Sequence, residues 1–250
     1  MYKLSIGALF KNESHSIKEW IEHYLSRGVE HFYLIDDSSN DNYLQEIQEY
    51  INKGIISLFI AKWDRYLGRQ KDMYNYYILP KLIETEWLLI VDLDEYMWSP
   101  DSILLTKILD EAKYIGQIQV EHTIYGSNGH ITQPKKIVES FTKRSAVHPT
   151  QIPGNRKYFV NSLFGFSSLN THHATFISKE DEEKRFLLLD KSYYILNHYN
   201  SQSKEFWLNV KCTRGDSDQY RIRSEEDFKE VDLNDVEDTS LVEQNKLIKK

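Results

Sequence analysis

Short apolar runs alternate along this chain with stretches in which apolar residues recur every three to four positions. Residues 4–10, 31–35, 55–61 and 87–91 are runs of the first kind and read as buried strands. Ile17, Trp20, Ile21, Tyr24 and Leu25 carry helical spacing, and Gly28 supplies a stop. Residues 43–52 read as a second helix closed by Gly54, and 66–83 as a long helix interrupted near Pro80. Residues 102–113 form another helix and 117–125 another strand. This alternation predicts an α/β fold with a doubly wound, mostly parallel sheet and right-handed crossovers. Beyond residue 126 the pattern loosens into a loop (126–130), short strand-like runs and a helix over 206–214. From 223 the chain is highly charged, acidic over 224–238 and Lys-rich at its end, which reads as surface helices or a tail. The expected organisation is one unit over 1–222, with halves 1–125 and 126–222, followed by 223–250.

The most informative stretch is 87–96, where the run from Trp87 to Val91 gives way to Asp92, Asp94 and Glu95. Strand side chains alternate, so Asp92 and Asp94 are expected on one face with Leu93 on the other. Open α/β sheets bind ligands at the carboxyl ends of their strands. Two carboxylates there can hold a divalent cation, and the cation a diphosphate. Aspartate is also common in the turns that end strands, so the motif alone is weak. It gains support from Glu13 after the first strand and Asp36 and Asp37 after the second, which such a sheet can bring to the same crevice. No Gly-x-Gly-x-x-Gly follows the first strand and no P-loop occurs, which disfavours dinucleotide-binding dehydrogenases and P-loop enzymes.

A net charge of −7 argues against a general nucleic-acid-binding face. Cys212 is the only cysteine, so no internal disulfide can form, as suits a reducing compartment. The N-terminus enters a strand-like run at once and no segment approaches twenty apolar residues, so neither a signal peptide nor a membrane span is expected. A cytoplasmic setting follows as the expectation, with peripheral work at a membrane surface left open. Trp63, Trp98 and Trp207 read as core residues rather than sugar platforms.

Lys11-Asn12-Glu13, the segment Glu19-Trp20-Ile21-Glu22-His23-Tyr24, Gly28-Val29-Glu30-His31-Phe32-Tyr33 and Asp92-Leu93-Asp94-Glu95-Tyr96 together resemble glycosyltransferase family 92. So do Tyr125-Gly126-Ser127-Asn128-Gly129-His130, His172-His173, Asn197-His198-Tyr199, Ser203, Lys211 and Arg214-Gly215. The resemblance covers roughly residues 4–216, and related family-2-like enzymes share its first half. It implies a GT-A fold, a nucleotide-sugar donor (commonly a UDP-sugar, with UDP-galactose a candidate), Mn²⁺ or Mg²⁺, a glycan or glycolipid acceptor and inversion. By position, Asp94 would be the main metal ligand, with Asp92 at the metal or ribose and His198 a second ligand. Asn12, Glu13, Asp36 or Asp37 would contact uracil or ribose. Lys211 and Arg214 would neutralise the diphosphate, and Gln70 would reach the donor. Gly126, Ser127, His130, His172 and His173 would lie on the acceptor side.

Inverting transfer also needs a general base, for which Glu121, Asp181, Glu182 and Asp216 are candidates, Glu121 being favoured because it ends an apolar strand. Each assignment has a plainer reading. Gly126 and Gly129 serve turns, His172 and His173 bond to backbone, and His198 is a buried histidine. Lys211 and Arg214 form a solvated basic patch on one helix face, and Gln70 begins an exposed helix. Two other functions compete: a haloacid-dehalogenase-like phosphotransferase and a catalytically silent nucleotide- or carbohydrate-binding domain. In the former the Asp-x-Asp normally follows the first strand; here it follows the fourth.

Overall fold

The computed structural model describes residues 1–146, 156–189, 191–215, 217 and 222–248. Its strands are β1 (Tyr2–Phe10), β2 (His31–Asp36), β3 (Ile56–Ile60), β4 (Thr85–Ile90), β5 (Glu95–Trp98), β6 (Gln117–Ile124) and β7 (Lys143–Arg144). They continue as β8 (Arg156–Asn161), β9 (Phe166–Leu169), β10 (Ala174–Phe176), β11 (Phe186–Leu189), β12 (Ile195–His198) and β13 (Val236–Glu237). The main sheet runs β3-β2-β1-β4-β8-β6-β12-β5, with β11 also paired to β6. β1, β2, β3 and β4 are mutually parallel, and β8 is antiparallel to both β4 and β6. The α/β, mostly parallel sheet is the expected one and is consistent with a GT-A fold. The sequence reading missed the antiparallel β8 and β5.

The core lies on both faces of the sheet, as the two-residue period requires. Leu4, Ile6, Ala8, Phe10, Phe32, Leu34, Trp87 and Leu89 pack on one side. Leu9, Tyr33, Ile35, Leu88 and Ile90 pack on the other. The helix Ile17–Leu25 covers the first face through buried Ile17, Trp20, Ile21 and Tyr24. A Cβ at Gly7 would lie 2.8 Å from Ile90 and 2.9 Å from Ile78, so glycine lets the overlying turn settle onto the strands.

Two helices are shorter than expected. The segment 66–83 begins only at Arg69, after Gly68 at φ +89°, and passes from α-helix (Arg69–Met73) through a π turn (Tyr74–Ile78) to a 3-10 helix (Leu79–Glu84). Pro80 has no N–H to give a preceding carbonyl and its ring crowds that position, so a regular α ladder cannot continue. The helix expected over 102–113 covers only Thr106–Glu111, because Leu105 donates its N–H to the Arg27 carbonyl and Leu104 to the Ser102 hydroxyl. Trp98 and Trp207 are buried, and Trp63 is half-buried.

The charged C-terminal stretch forms the helices Glu225–Val231 and Ser240–Ile248. Leu241 enters the core, and Gln244 donates to the Ser99 carbonyl at 2.6 Å. Arg27, only 1% exposed, donates to Gln244 and Asn245. No helix among the described residues is long and apolar enough to cross a membrane.

Candidate active site

β4 ends at Ile90, so Asp92 and Asp94 leave a tight turn rather than the strand itself, and Glu95 begins β5. The turn is closed by Glu95 N–H donating to the Asp92 carbonyl at 3.1 Å and by Asp92 N–H donating to Glu95 Oε2 at 2.7 Å. Trp20 Nε1 donates to the carbonyls of Asp92 and Glu95, tying the turn to the first helix. Both aspartates border one cavity of about 480 Å³ at the carboxyl end of β4.

Asp94 has two side-chain partners there. Lys211 Nζ lies 2.7 Å from its Oδ2, and His198 Nε2 lies 3.5 Å from its Oδ1. Burial pushes this carboxyl up, but Lys211 and His198 outweigh it and hold it well below the usual range. The same pairing outweighs burial at His198 and raises its imidazole. Asp92 is raised, chiefly by desolvation, against the pull of Lys157. Lys157 is 0% exposed, bonds Asp92 Oδ2 at 2.8 Å and lies 3.6 Å from Glu95 Oε2. Desolvation would lower its ammonium, but Asp92 and Glu95 raise it overall. Glu95 is driven down despite burial by Lys157 and His122. His122, pushed by burial down to about 4, lies 2.9 Å from Glu95 Oε1 but out of hydrogen-bonding line.

The other expected donor residues divide into two groups. Glu13, Asp37, Gln70, Lys211 and Arg214 line the cavity. Glu13 accepts from Arg214 Nη1 at 2.7 Å, and Asp37 from Arg69. Gln70 donates to the Tyr74 hydroxyl and accepts from Ser217. Asn12 and Asp36 are not among the cavity-lining residues and instead join neighbouring loops. Asn12, at φ +56°, accepts from Asn40 N–H, while Asp36 accepts from Ser39 N–H and the Tyr43 hydroxyl. The helical stretch 204–214 swings Lys211 and Arg214 in from the second half. Arg65 donates to the Arg214 carbonyl and Arg69 to that of Ser217, holding this stretch against the first half.

The expected acceptor and base residues are more scattered. His172 lines the cavity, whereas the exposed His173 does not. Gly126, Ser127 and His130 face an internal latch instead. Ser127 donates from N and Oγ to Asp232, and Asn128 N–H donates to Asn234. A Cβ at Gly126 would strike the Leu233 carbonyl, so only glycine fits beneath this segment. His130 Nε2 bonds the Ser140 carbonyl at 3.1 Å. Glu121 is held 3.2 Å from Arg156 and is not among the cavity-lining residues. Asp181 and Glu182 sit on the helix Lys179–Lys184, away from the cavity. Asp216 lies outside the described residues. Lys157, His122 and Arg69 are the residues that sequence reasoning missed. Their signal is faint: a Lys near the start of β8, a His among the other polar residues of β6, and an Arg after Gly68.

Asp94 Oδ1 and His198 Nε2 fit a divalent cation: one hard oxygen and one imidazole nitrogen face the cavity at a separation too long for a hydrogen bond. Glu95, His122 and His198 also place one ligand atom each within 4.8 Å of one another, with both His122 nitrogens and Glu95 Oε1 lacking hydrogen bonds. That second set lies deeper and shares His198 with the first.

The chain is similar in sequence to known proteins of one family. A glycosyltransferase family 92 protein of Oryza sativa subsp. japonica is 20% identical over 206 residues, covering 80% of this chain and 34% of its own. One of Ricinus communis is 24% identical over 215 residues, covering 80% and 35%. The chain thus spans about a third of the length of these relatives. Among solved structures, S. aureus TarS 1–349 in complex with UDP is 18% identical, with a TM-score of 0.47 over 80% of this chain and 61% of that one. The sequence model of glycosyltransferase family 92 matches residues 3–241, which takes in every cavity-lining residue and the first two residues of the last helix. With the match spanning nearly the whole chain, this protein belongs to glycosyltransferase family 92.

Proposed function

We propose that this chain is a metal-dependent glycosyltransferase that moves a hexose from a UDP-sugar, with UDP-galactose the first candidate, to a glycan or glycolipid acceptor with inversion. The observation that carries the reading is Asp94, which meets His198 and Lys211 at the floor of a cavity bordered by both halves of the chain. About 480 Å³ lies in the range of small-molecule sites. In this reading residues 1–125 bind the nucleotide, 126–222 complete the metal and acceptor sides, and 223–250 brace them.

Asp94 and His198 would hold Mn²⁺ or Mg²⁺, with Asp92 beside them, and the ion would supply charge neutralisation for the diphosphate. Lys211 and Arg214 add fixed positive charge where negative charge develops on the leaving group. Glu13 and Asp37, held by Arg214 and Arg69, present acceptors toward the base and ribose. Trp20 and Lys157 keep the aspartate turn in one geometry, so little reorganisation is needed when the donor enters.

Calorimetric titration of UDP with and without Mn²⁺, on native protein and Asp94→Ala, tests this. The expected result is Mn²⁺-dependent binding that the substitution abolishes. No binding of UDP or GDP in either condition rejects the donor site. Release of inorganic phosphate in place of sugar transfer rejects the transferase reading in favour of a phosphotransferase.

A further inference from the structure

We propose that His172 is the general base of this site, taking the proton of the acceptor hydroxyl on Nε2; the assignment rests on the donor-site reading above. His172 lies in the loop between β9 and β10 and lines the cavity. Its Nδ1 is 3.0 Å from the Arg156 carbonyl oxygen. A carbonyl only accepts, so Nδ1 carries the hydrogen and Nε2 keeps its lone pair. Nε2 has no hydrogen bond among the described residues.

The loop is held firmly. Gln119 Nε2 donates to the His172 carbonyl at 3.3 Å, and Gln117 exchanges two hydrogen bonds with the Ala174 backbone. A base needs this kind of support to keep its lone pair aimed.

Position also favours it. β8 separates β4 from β6, and Arg156 begins β8 at the carboxyl end of β4. His172 therefore stands on the β8–β6 side of the aspartate turn, whereas Glu13 and Asp37 stand on the β1–β2 side. A donor with its nucleotide over β1 and β2 leaves the β8–β6 side for the acceptor.

Elimination points the same way. Among the described residues, each carboxylate that lines the cavity already has a cation: Glu13 has Arg214, Asp37 has Arg69, Asp92 and Glu95 share Lys157, and Asp94 has Lys211. Among the described residues, the charged groups acting on the His172 ring are Lys157 from β8 and Asp92 and Glu95 from the turn, while Arg156 of β8 meets it through its backbone carbonyl. Burial, then Lys157, holds the imidazole below its ordinary value against the pull of the two acids, so it is neutral at pH 7 and ready to accept.

In the step itself, the acceptor oxygen bonds to the anomeric carbon as its proton passes to Nε2. The anomeric C–O bond breaks, and its electron pair leaves on the diphosphate oxygen beside Lys211 and Arg214. The imidazolium then returns its proton to water.

The test measures UDP release from UDP-galactose, UDP-glucose and UDP-GlcNAc with Mn²⁺ and water as acceptor, beside UDP affinity. His172→Gln should lose about 100-fold or more in kcat, with UDP affinity changed less than about threefold. Added imidazole should partly restore His172→Ala. Native kcat/KM should fall on an acid limb that lies below the ordinary histidine value of about 6.5, and His172→Gln should lack that limb. A His172→Gln protein that binds UDP and releases it at the native rate overturns the base assignment alone, as does a native profile flat down to pH 5. Absence of UDP binding by native protein overturns the donor reading, and this assignment with it.

Discussion

Replacing Lys157 by methionine removes the one cation shared by Asp92 and Glu95 while keeping most of the buried stem. Lys157 and Glu95 are both 0% exposed, and the side chain of Asp92 is 32% exposed. Removing one partner of a buried ion pair leaves a desolvated charge and costs about 3–5 kcal/mol. Water reaching Asp92 screens part of that, so about 3 kcal/mol is expected. For a chain of this size each kcal/mol lowers Tm by about 2–4 °C, giving a fall of roughly 6–12 °C. Urea unfolding followed by tryptophan fluorescence, alongside calorimetry, measures it. Adding Glu95→Gln to Lys157→Met removes the stranded charge and should recover about 1 kcal/mol or more of the loss. A single variant that melts within 2 °C of native protein, or a double variant less stable than Lys157→Met, would refute the claim that Lys157 neutralises this turn.

Gly126→Ala drives a methyl group into the Leu233 carbonyl and should destabilise by about 1–3 kcal/mol in urea unfolding, with UDP affinity unchanged. Leu241→Ala should cost about 2–5 kcal/mol in the same assay, because this 2%-exposed side chain places the last helix in the core; a loss under 1 kcal/mol would make that helix an ornament. His23 gives a pH-dependent stability. Its Nε2 donates to the Met97 carbonyl at 2.8 Å, and burial, reinforced by Arg27, holds the ring well below 6.5. The unfolded chain takes up a proton near pH 6.5 that the folded one refuses. Its contribution is therefore complete above that pH and lost as pH falls toward the folded value, by about 1.4 kcal/mol per unit. His23→Gln should remove that share of the slope between pH 6.5 and 5, measured by urea unfolding at each pH; identical slopes would refute it.

What the amino-acid order determined by itself was everything carried by neighbours in the chain. β1 to β4 and the first two helices were legible because two- and 3.6-residue periods record which face of each element is buried. The acidic stop after Val91 and the shared face of Lys211 and Arg214 were legible for the same reason. Only the tertiary structure decided which partner each charge would find. Lys157 reaches the aspartate turn because β8 runs back antiparallel between β4 and β6, a pairing 65 residues removed in sequence from Asp92. Ser127 and Gly126, which read as acceptor contacts, are occupied by Asp232 and Leu233 from a segment whose composition suggested a free surface. Glu121 ends up bound to Arg156, and the turn rather than the strand sets where Asp92 and Asp94 point. Burial patterns are local because each element buries its own face. Ion pairing and cavity geometry depend on distances between elements that no local pattern records.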